Sequence, residues 1–213
     1  DITNVIKECR AKTVGEISGA VVGNEEIIKL LGAAKRAGVK VNGHCPSMGF
    51  RDVQQAACAG LCDDHECESI SDLEQRLACG MAVLVREGTI EPNCRTLCEG
   101  IVKNHIPTDD IMFCTDDKSA EDIKENGCID NALRIAVKSG ISPVSAIKMA
   151  TLNVARHYGV DDIIGSVAPS RKANFLLMDS LENITVKKVY HEGRLVAENG
   201  EFLCRHEFDI TRY

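Results

Sequence analysis

The chain has 213 residues, a formal net charge of -7 and a sequence pI near 5.4. That length holds one large domain, or one and a half, with a sizeable core, and the acidic balance leaves no basic stripe for nucleic acid or an anionic membrane. Aromatic residues are only 4%, Trp is absent, no apolar run nears the roughly 20 residues that cross a bilayer, and no signal-peptide pattern opens the chain, so the expectation is a cytoplasmic protein acting on a small molecule.

Residues 1–11 are expected to hold a partial helix leading to a strand over residues 13–17. Asn24 offers a helix N-cap with Glu25 and Glu26 in the first turn, and Ile27, Ile28, Leu30, Leu31 and Ala34 follow at helical spacing until Gly38 closes the helix. A strand over 40–43, a helix over 50–59 ended by Gly60, and a strand over 61–64 come next. Ser71-x-x-Glu74 has the order of a capping box and opens a helix to Cys79. The apolar run 81–85 reads as a buried parallel strand, residues 91–103 as a helix, and 110–115 as the last strand of the series. Residues 120–139 carry helices broken at Gly127, and Pro143 starts a helix that runs to His157 with Gly159 just past its end.

Near residues 160–166 the texture changes. GSVAP, NFLLMD, the alternating ITVKKVYHEGRLVAENGE with a turn near Gly193, and the tail FLCRHEFDITRY read as short antiparallel strands. Two parts are therefore predicted: residues 1–160 as a parallel β/α series, and residues 161–213 as a β layer packed on it.

One placement recurs along the series. Glu16, His44, His65, Glu87 and Asp116 stand at or near the ends of successive apolar runs, 21 to 29 residues apart, about what a strand, a helix and two loops consume. In a parallel β/α architecture the C-terminal ends of strands open into one mouth, so such groups converge. Carboxylate oxygen and imidazole nitrogen suit zinc, manganese or iron, and a water held by such an ion has its pKa lowered to roughly 7. Glu16, His44, His65 and Asp116 are the candidate metal ligands. Asp116 is also placed to move a proton, Glu66 to handle a second, and Arg86-Glu87 to orient a polar heterocycle.

Blander readings exist for each. A lone histidine at a strand end is usually a hydrogen-bonded core residue, DDHECE reads as a solvated acidic loop, Asp116 as a helix cap, and Glu87 as a surface charge. The joint placement at successive strand ends favours the metal. His105, His157, His191 and His206 fall away from the strand ends and are read as structural. Residues 63–74 span the length of a calcium loop but carry Glu68 where the sharp turn needs glycine. Gly-rich phosphate cradles and a GxSxG elbow are absent. The eleven cysteines form no CxxC; Cys58/Cys62 and Cys94/Cys98 sit four apart in expected helices, and most are read as reduced packing residues. The sequon at Asn183 is discounted for the same reason.

At these residues the chain resembles the amidohydrolase superfamily, and within it the bacterial adenine deaminases. The matching strings are GEISG around Glu16, NGHCP around His44, HE at 65 and 66, LACGMAVLVREG through Gly88, FCTDDK through Lys118, TLNVARHYG and GSVAPSRKANFLLMDS. Cys67 stands where serine is expected, which puts a local hydrogen bond in question. The resemblance implies a distorted TIM (β/α)8 barrel with a small β-sandwich, and a divalent metal centre, manganese, iron or zinc and binuclear in the intact enzyme, that hydrolyses adenine to hypoxanthine and ammonia. In that scheme Glu16 bridges two metals, His44 and His65 are ligands, Asp116 is a ligand that also moves the proton, and Glu66 and Glu87 handle substrate or protons.

The family's His-x-His pair at the first barrel strand occurs nowhere in this sequence. The resemblance therefore implies an internal fragment: the second half of the barrel with part of the sandwich. Such a half-barrel exposes strand edges and is expected to self-associate as a homo-oligomer and to lack turnover alone. The alternatives are another cyclic-amide hydrolase, or a silent half-barrel that binds a metal or a partner.

Overall fold

The computed structural model describes residues 2–9 and 11–204. After helix α1 (Ile2–Glu8), strands and helices alternate: β1 (Thr13–Ser18), α2 (Glu25–Ala37), β2 (Lys40–His44), α3 (Phe50–Ala59), β3 (Asp63–Asp64), α4 (Ile70–Ala78), β4 (Ala82–Arg86), α5 (Cys94–Lys103) and β5 (Ile111–Cys114). The five strands form one parallel sheet in the order β1-β2-β3-β4-β5. Because every neighbouring pair is parallel, all five C-terminal ends lie along one rim. Helices α6 (Ala120–Asn126), α7 (Ile129–Lys138), α8 (Pro143–Ala150) and α9 (Leu152–His157) follow. A four-stranded antiparallel sheet then closes the described chain: β6 (Phe175–Met178), β7 (Val186–His191), β8 (Arg194–Glu198) and β9 (Glu201–Phe202). Among the described residues, no helix is long and apolar enough to cross a membrane.

Local chemistry fixes most boundaries. The Asn24 side chain accepts hydrogen bonds from the N–H groups of Glu26 and Ile27, and Gly38 ends α2 at φ 69°. Two clusters then supply the apolar burial. Leu31, Val41, Val53, Leu61 and Met81 pack around β2. Leu73, Val83, Val85, Leu97, Ile111 and Phe113 pack with residues of α7 and α8 around β4 and β5. A fully buried Leu or Val contributes about 1.5–3 kcal/mol, so these clusters dominate the folding energy. Ile184, in the loop between β6 and β7, is buried in the second cluster and ties the antiparallel sheet to the α/β body.

Several expected boundaries move. The strand expected over 61–64 keeps only Asp63 and Asp64, although Cys62 still donates to the Val41 carbonyl at 2.9 Å and accepts from Ala82 at 3.0 Å. The capping box lies at Ser69 and Asp72, not at Ser71 and Glu74, and α4 starts at Ile70 accordingly. The helix expected from residue 91 starts at Cys94, since Pro92 biases Glu91 away from helical backbone. The helix expected to run from Pro143 to His157 breaks at Thr151, at φ -134° and ψ -82°, with its hydroxyl donating to the Ile147 carbonyl at 2.6 Å. Cys62 lies outside α3, while Cys94 and Cys98 share α5 with their sulfurs 3.8 Å apart. Of the expected tail, residues 205–213, including His206, lie outside the described residues.

Strands β2 and β3 meet unusually closely. A Cβ added at Gly43 would lie 2.2 Å from the Asp63 carbonyl oxygen, a backbone atom that cannot swing aside. Gly43→Ala is expected to destabilise the fold by about 3 kcal/mol through overpacking. Gly15→Ala, whose methyl would meet nothing within 4 Å, is the matched control and is expected to be near neutral. Urea unfolding of the two variants checks the difference.

Candidate metal centre

The strand ends bring together most of the ionisable groups singled out in the sequence. His44 is the last residue of β2, and His65 and Glu66 follow β3 directly. Glu16 projects from β1, and Asp116 lies two residues past β5. His44 Nδ1 stands 3.4 Å from His65 Nε2 and 3.1 Å from Glu66 Oε1. His65 Nε2 is 3.5 Å from Glu16 Oε2, 3.3 Å from Glu66 Oε1 and 3.8 Å from Asp116 Oδ2. Ligand atoms of Glu16, His44 and His65 all fall within 4.8 Å of one another, and so do those of His65, Glu66 and Asp116.

Asp116 adopts φ 54°, in the left-handed region that a non-glycine residue rarely occupies. Strain of this kind persists where the surroundings over-determine a conformation, and it gathers at functional sites. Here the surroundings are visible. Arg86, the last residue of β4, is almost fully buried, and its Nη1 donates to Glu66 Oε1 at 2.8 Å and to Asp116 Oδ2 at 3.1 Å. Burial works to raise the Asp116 carboxyl, but the Arg86 hydrogen bond and the nearby His65 and Arg86 charges outweigh it, so the carboxyl sits below its ordinary value.

Glu87 goes elsewhere. It is buried behind β4, where desolvation raises its carboxyl above the usual range against the opposing pull of Lys118 and the Cys94 N–H. Lys118 in turn donates to the Glu87 carbonyl at 3.3 Å and to Asp122 at 2.9 Å. The tight group is thus Glu16, His44, His65, Glu66 and Asp116, with Arg86 beside it.

Three carboxylates share this space with one fixed positive charge, and two imidazole nitrogens lie close enough to crowd each other's lone pairs. The donor set of imidazole nitrogen and carboxylate oxygen suits zinc, manganese or iron, so the residues present fit a divalent metal. Among the described residues, no cysteine joins either ligand group. Burial pushes the thiols of Cys45 and Cys114 up to about 12.

Some structure around the site escaped the sequence reading. His157, read as merely structural, puts Nε2 2.7 Å from Asp63 Oδ2, 94 residues away, at the base of the strand that delivers His65. Arg76 pairs with Asp64 at 2.9 Å, both buried. Neither partnership has a local spacing signal. Only the approach of α9 and α4 to β3 creates them.

Fold and site together define a parallel α/β protein whose strand ends assemble a carboxylate and imidazole cluster of the kind that holds a divalent cation. The chain belongs to the amidohydrolase family, whose model matches residues 12–196. It is 39% identical over 202 residues to the adenine deaminase of Nitratidesulfovibrio vulgaris, covering 93% of this chain and 35% of that protein. It is 36% identical over 211 residues to the adenine deaminase of Kosmotoga olearia, covering 98% of this chain and 35% of that protein. The chain thus spans about a third of the length of these curated relatives. Among solved structures, the N-acetylglucosamine-6-phosphate deacetylase of Pasteurella multocida superposes with a TM-score of 0.69 at 13% identity, over 92% of this chain and 60% of that one. At that identity the likeness concerns the fold.

In the metal-free protein, Arg86→Gln removes the strongest influence lowering Asp116 and leaves the burial that raises it. The Asp116 carboxyl is expected to move up, read by carbon-13 NMR titration. The sign for stability follows: Asp116 stabilises the native state above its unfolded pKa, and that contribution is lost as pH falls through the depressed folded value. The acid-unfolding midpoint of Arg86→Gln should therefore shift to higher pH.

Proposed function

We propose that this chain is a segment of a metal-dependent adenine deaminase, hydrolysing adenine to hypoxanthine and ammonia. The observation that carries the reading is the convergence of Glu16, His44, His65 and Asp116 at the rim of a parallel sheet, in a chain 36–39% identical to curated adenine deaminases across nearly its whole length. Because it spans about a third of those relatives, the activity is proposed for a protein of their length. Residues 1–160 would supply the second half of a distorted (β/α)8 barrel, and residues 161–213 part of a small β-sandwich. The sequential parallel order and the separate antiparallel sheet support that division.

Glu16, His44, His65 and Asp116 would hold the metal, with Glu16 as the bridge if two ions bind. When bound, a divalent cation supplies Lewis acidity and lowers the pKa of water; manganese, iron and zinc all match the donors. The chain's own groups do the rest. Asp116, held ionised by Arg86, accepts the proton of the attacking water and passes it to the leaving exocyclic nitrogen as the C–N bond breaks. Glu66, held by Arg86 at 2.8 Å, would handle a second proton. Glu87, outside both ligand groups, would contribute to handling substrate or protons only indirectly. The protein is proposed to be cytoplasmic. As an isolated chain it is proposed to self-associate, because β1 and β5 are the two edges of the sheet among the described residues.

In a protein of the relatives' length, His44→Asn and His65→Asn are expected to lose bound metal by elemental analysis and to lose adenine turnover. Asp116→Asn is expected to lower kcat by about 10²–10⁴-fold. Wild-type turnover in all three variants would reject the site. Hydantoin hydrolysis without ammonia release from adenine would move the protein to the cyclic-amide hydrolases. For the 213-residue chain alone, no adenine turnover and an associated species by size-exclusion chromatography are expected; a compact, stable monomer would count against the open edges.

A further inference from the structure

The hydrogen-bond ladder between β2 and β3 stops one residue short of the two histidines. Its register pairs Asn42 with Asp63 and Gly43 with Asp64, and β3 then ends. His44 and His65 are the next residues along. Their separation is therefore not set by sheet pairing, and a different contact has to set it.

A buried ion pair occupies that position. Asp64 Oδ1 accepts the N–H of Cys45 at 3.0 Å and the N–H of Glu66 at 3.2 Å, so one carboxylate oxygen holds the residue after His44 and the residue after His65. Its Oδ2 accepts Nε of Arg76 at 2.9 Å, and Nη2 of Arg76 donates to the Cys45 carbonyl at 2.8 Å. Cys45 is thus gripped at both its N–H and its C=O. Asp64 is 0% and Arg76 1% exposed, so the contacts are shielded from water and from salt. Arg76 reaches the site from α4, across 31 residues of sequence from Cys45.

We propose that the Asp64–Arg76 pair is the positioning element that sets the spacing of His44 and His65. Neither residue touches the metal or substrate; each acts through the backbone beside the imidazoles. The proposal rests on the reading of those two histidines as metal ligands. Its physical basis is general: partners behind a ligand fix its orientation, and altering them typically weakens metal binding about 10- to 100-fold. A guanidinium is suited to the task because its rigid fork donates in two directions at once, to a carboxylate and to a carbonyl, which an ammonium on a flexible stem cannot reproduce.

The test is Co²⁺ titration of a protein of the relatives' length, read by visible absorption and by thermal melting in parallel. Arg76→Lys keeps the charge opposite Asp64 and loses the second bond to Cys45. It is expected to weaken Co²⁺ binding at least 10-fold and to change the intensity and position of the absorption band, at temperatures where circular dichroism shows the chain folded. Asp72→Ala removes the capping box of α4 and the other carboxylate near Arg76, at 3.9 Å, without touching Cys45 or Glu66. It is expected to lower the melting temperature while leaving Co²⁺ affinity and spectrum unchanged. Wild-type affinity and spectrum in folded Arg76→Lys overturn the positioning role, and so does an equal loss of affinity in Asp72→Ala, since that marks general destabilisation. If the unaltered protein of that length binds no Co²⁺, or binds it unchanged after His44→Asn and His65→Asn, the reading of the metal centre fails and this inference falls with it.

Discussion

The contact between β2 and β3 is the constraint on which the rest of the site depends. The two strands approach so closely at Gly43 that no side chain fits there, and β3 is only two residues long. Both of those residues are aspartates, and neither is a surface charge. Asp63 accepts the Gly43 N–H at 3.1 Å and faces His157, while Asp64 binds Cys45, Glu66 and Arg76. A strand too short to be held by its ladder is held instead by its own carboxylates. Buried carboxylates need compensating partners: Asp64 is paired with Arg76 and hydrogen-bonded to two backbone N–H groups, and Asp63 is hydrogen-bonded to the Gly43 N–H and to His157.

That arrangement explains why acidic residues accumulate on this rim without forcing it apart. Glu66 and Asp116 share the Nη1 of Arg86, and the guanidinium is itself buried. The cluster keeps more negative than positive charge, which is a favourable field for a cation and an unfavourable one for the bare fold. The strained backbone of Asp116 belongs to the same balance. Its φ of 54° costs conformational energy that the bond to Arg86 offsets, and the carboxylate is thereby aimed at His65 rather than at the following helix.

Of the eleven cysteines, expected mostly as packing residues, four are buried, four half-buried and three exposed. Cys45, Cys67, Cys94 and Cys98 are buried side chains in or beside the apolar clusters; burial raises the thiols of Cys45 and Cys67, and the Cys98 sulfur beside it, together with burial, raises that of Cys94. They act as small hydrophobes. Cys45 matters through its backbone, which both members of the Asp64–Arg76 pair grip, more than through its sulfur.

Periodicity and helix-end chemistry in the sequence were sufficient to establish the alternation of strands and helices, the caps at Asn24 and Gly38, the α3 boundaries and the antiparallel character from Phe175 onward, although GSVAP, expected as a strand, forms turns and bends. These are local properties, set by neighbours within a few residues. The recurring placement of Glu16, His44, His65 and Asp116 was legible because a β/α repeat converts sequence spacing into a shared rim. The sequence did not reveal that Glu87 turns away from that rim, that Arg86 joins Glu66 to Asp116, or that Arg76 and His157 reach β3 from distant helices. Nor did it place the break at Thr151 or the shift of the capping box to Ser69. Polar contacts of this kind join residues 12 to 94 positions apart, and which partners meet is decided by how the helices pack on the sheet, a choice that no local spacing encodes.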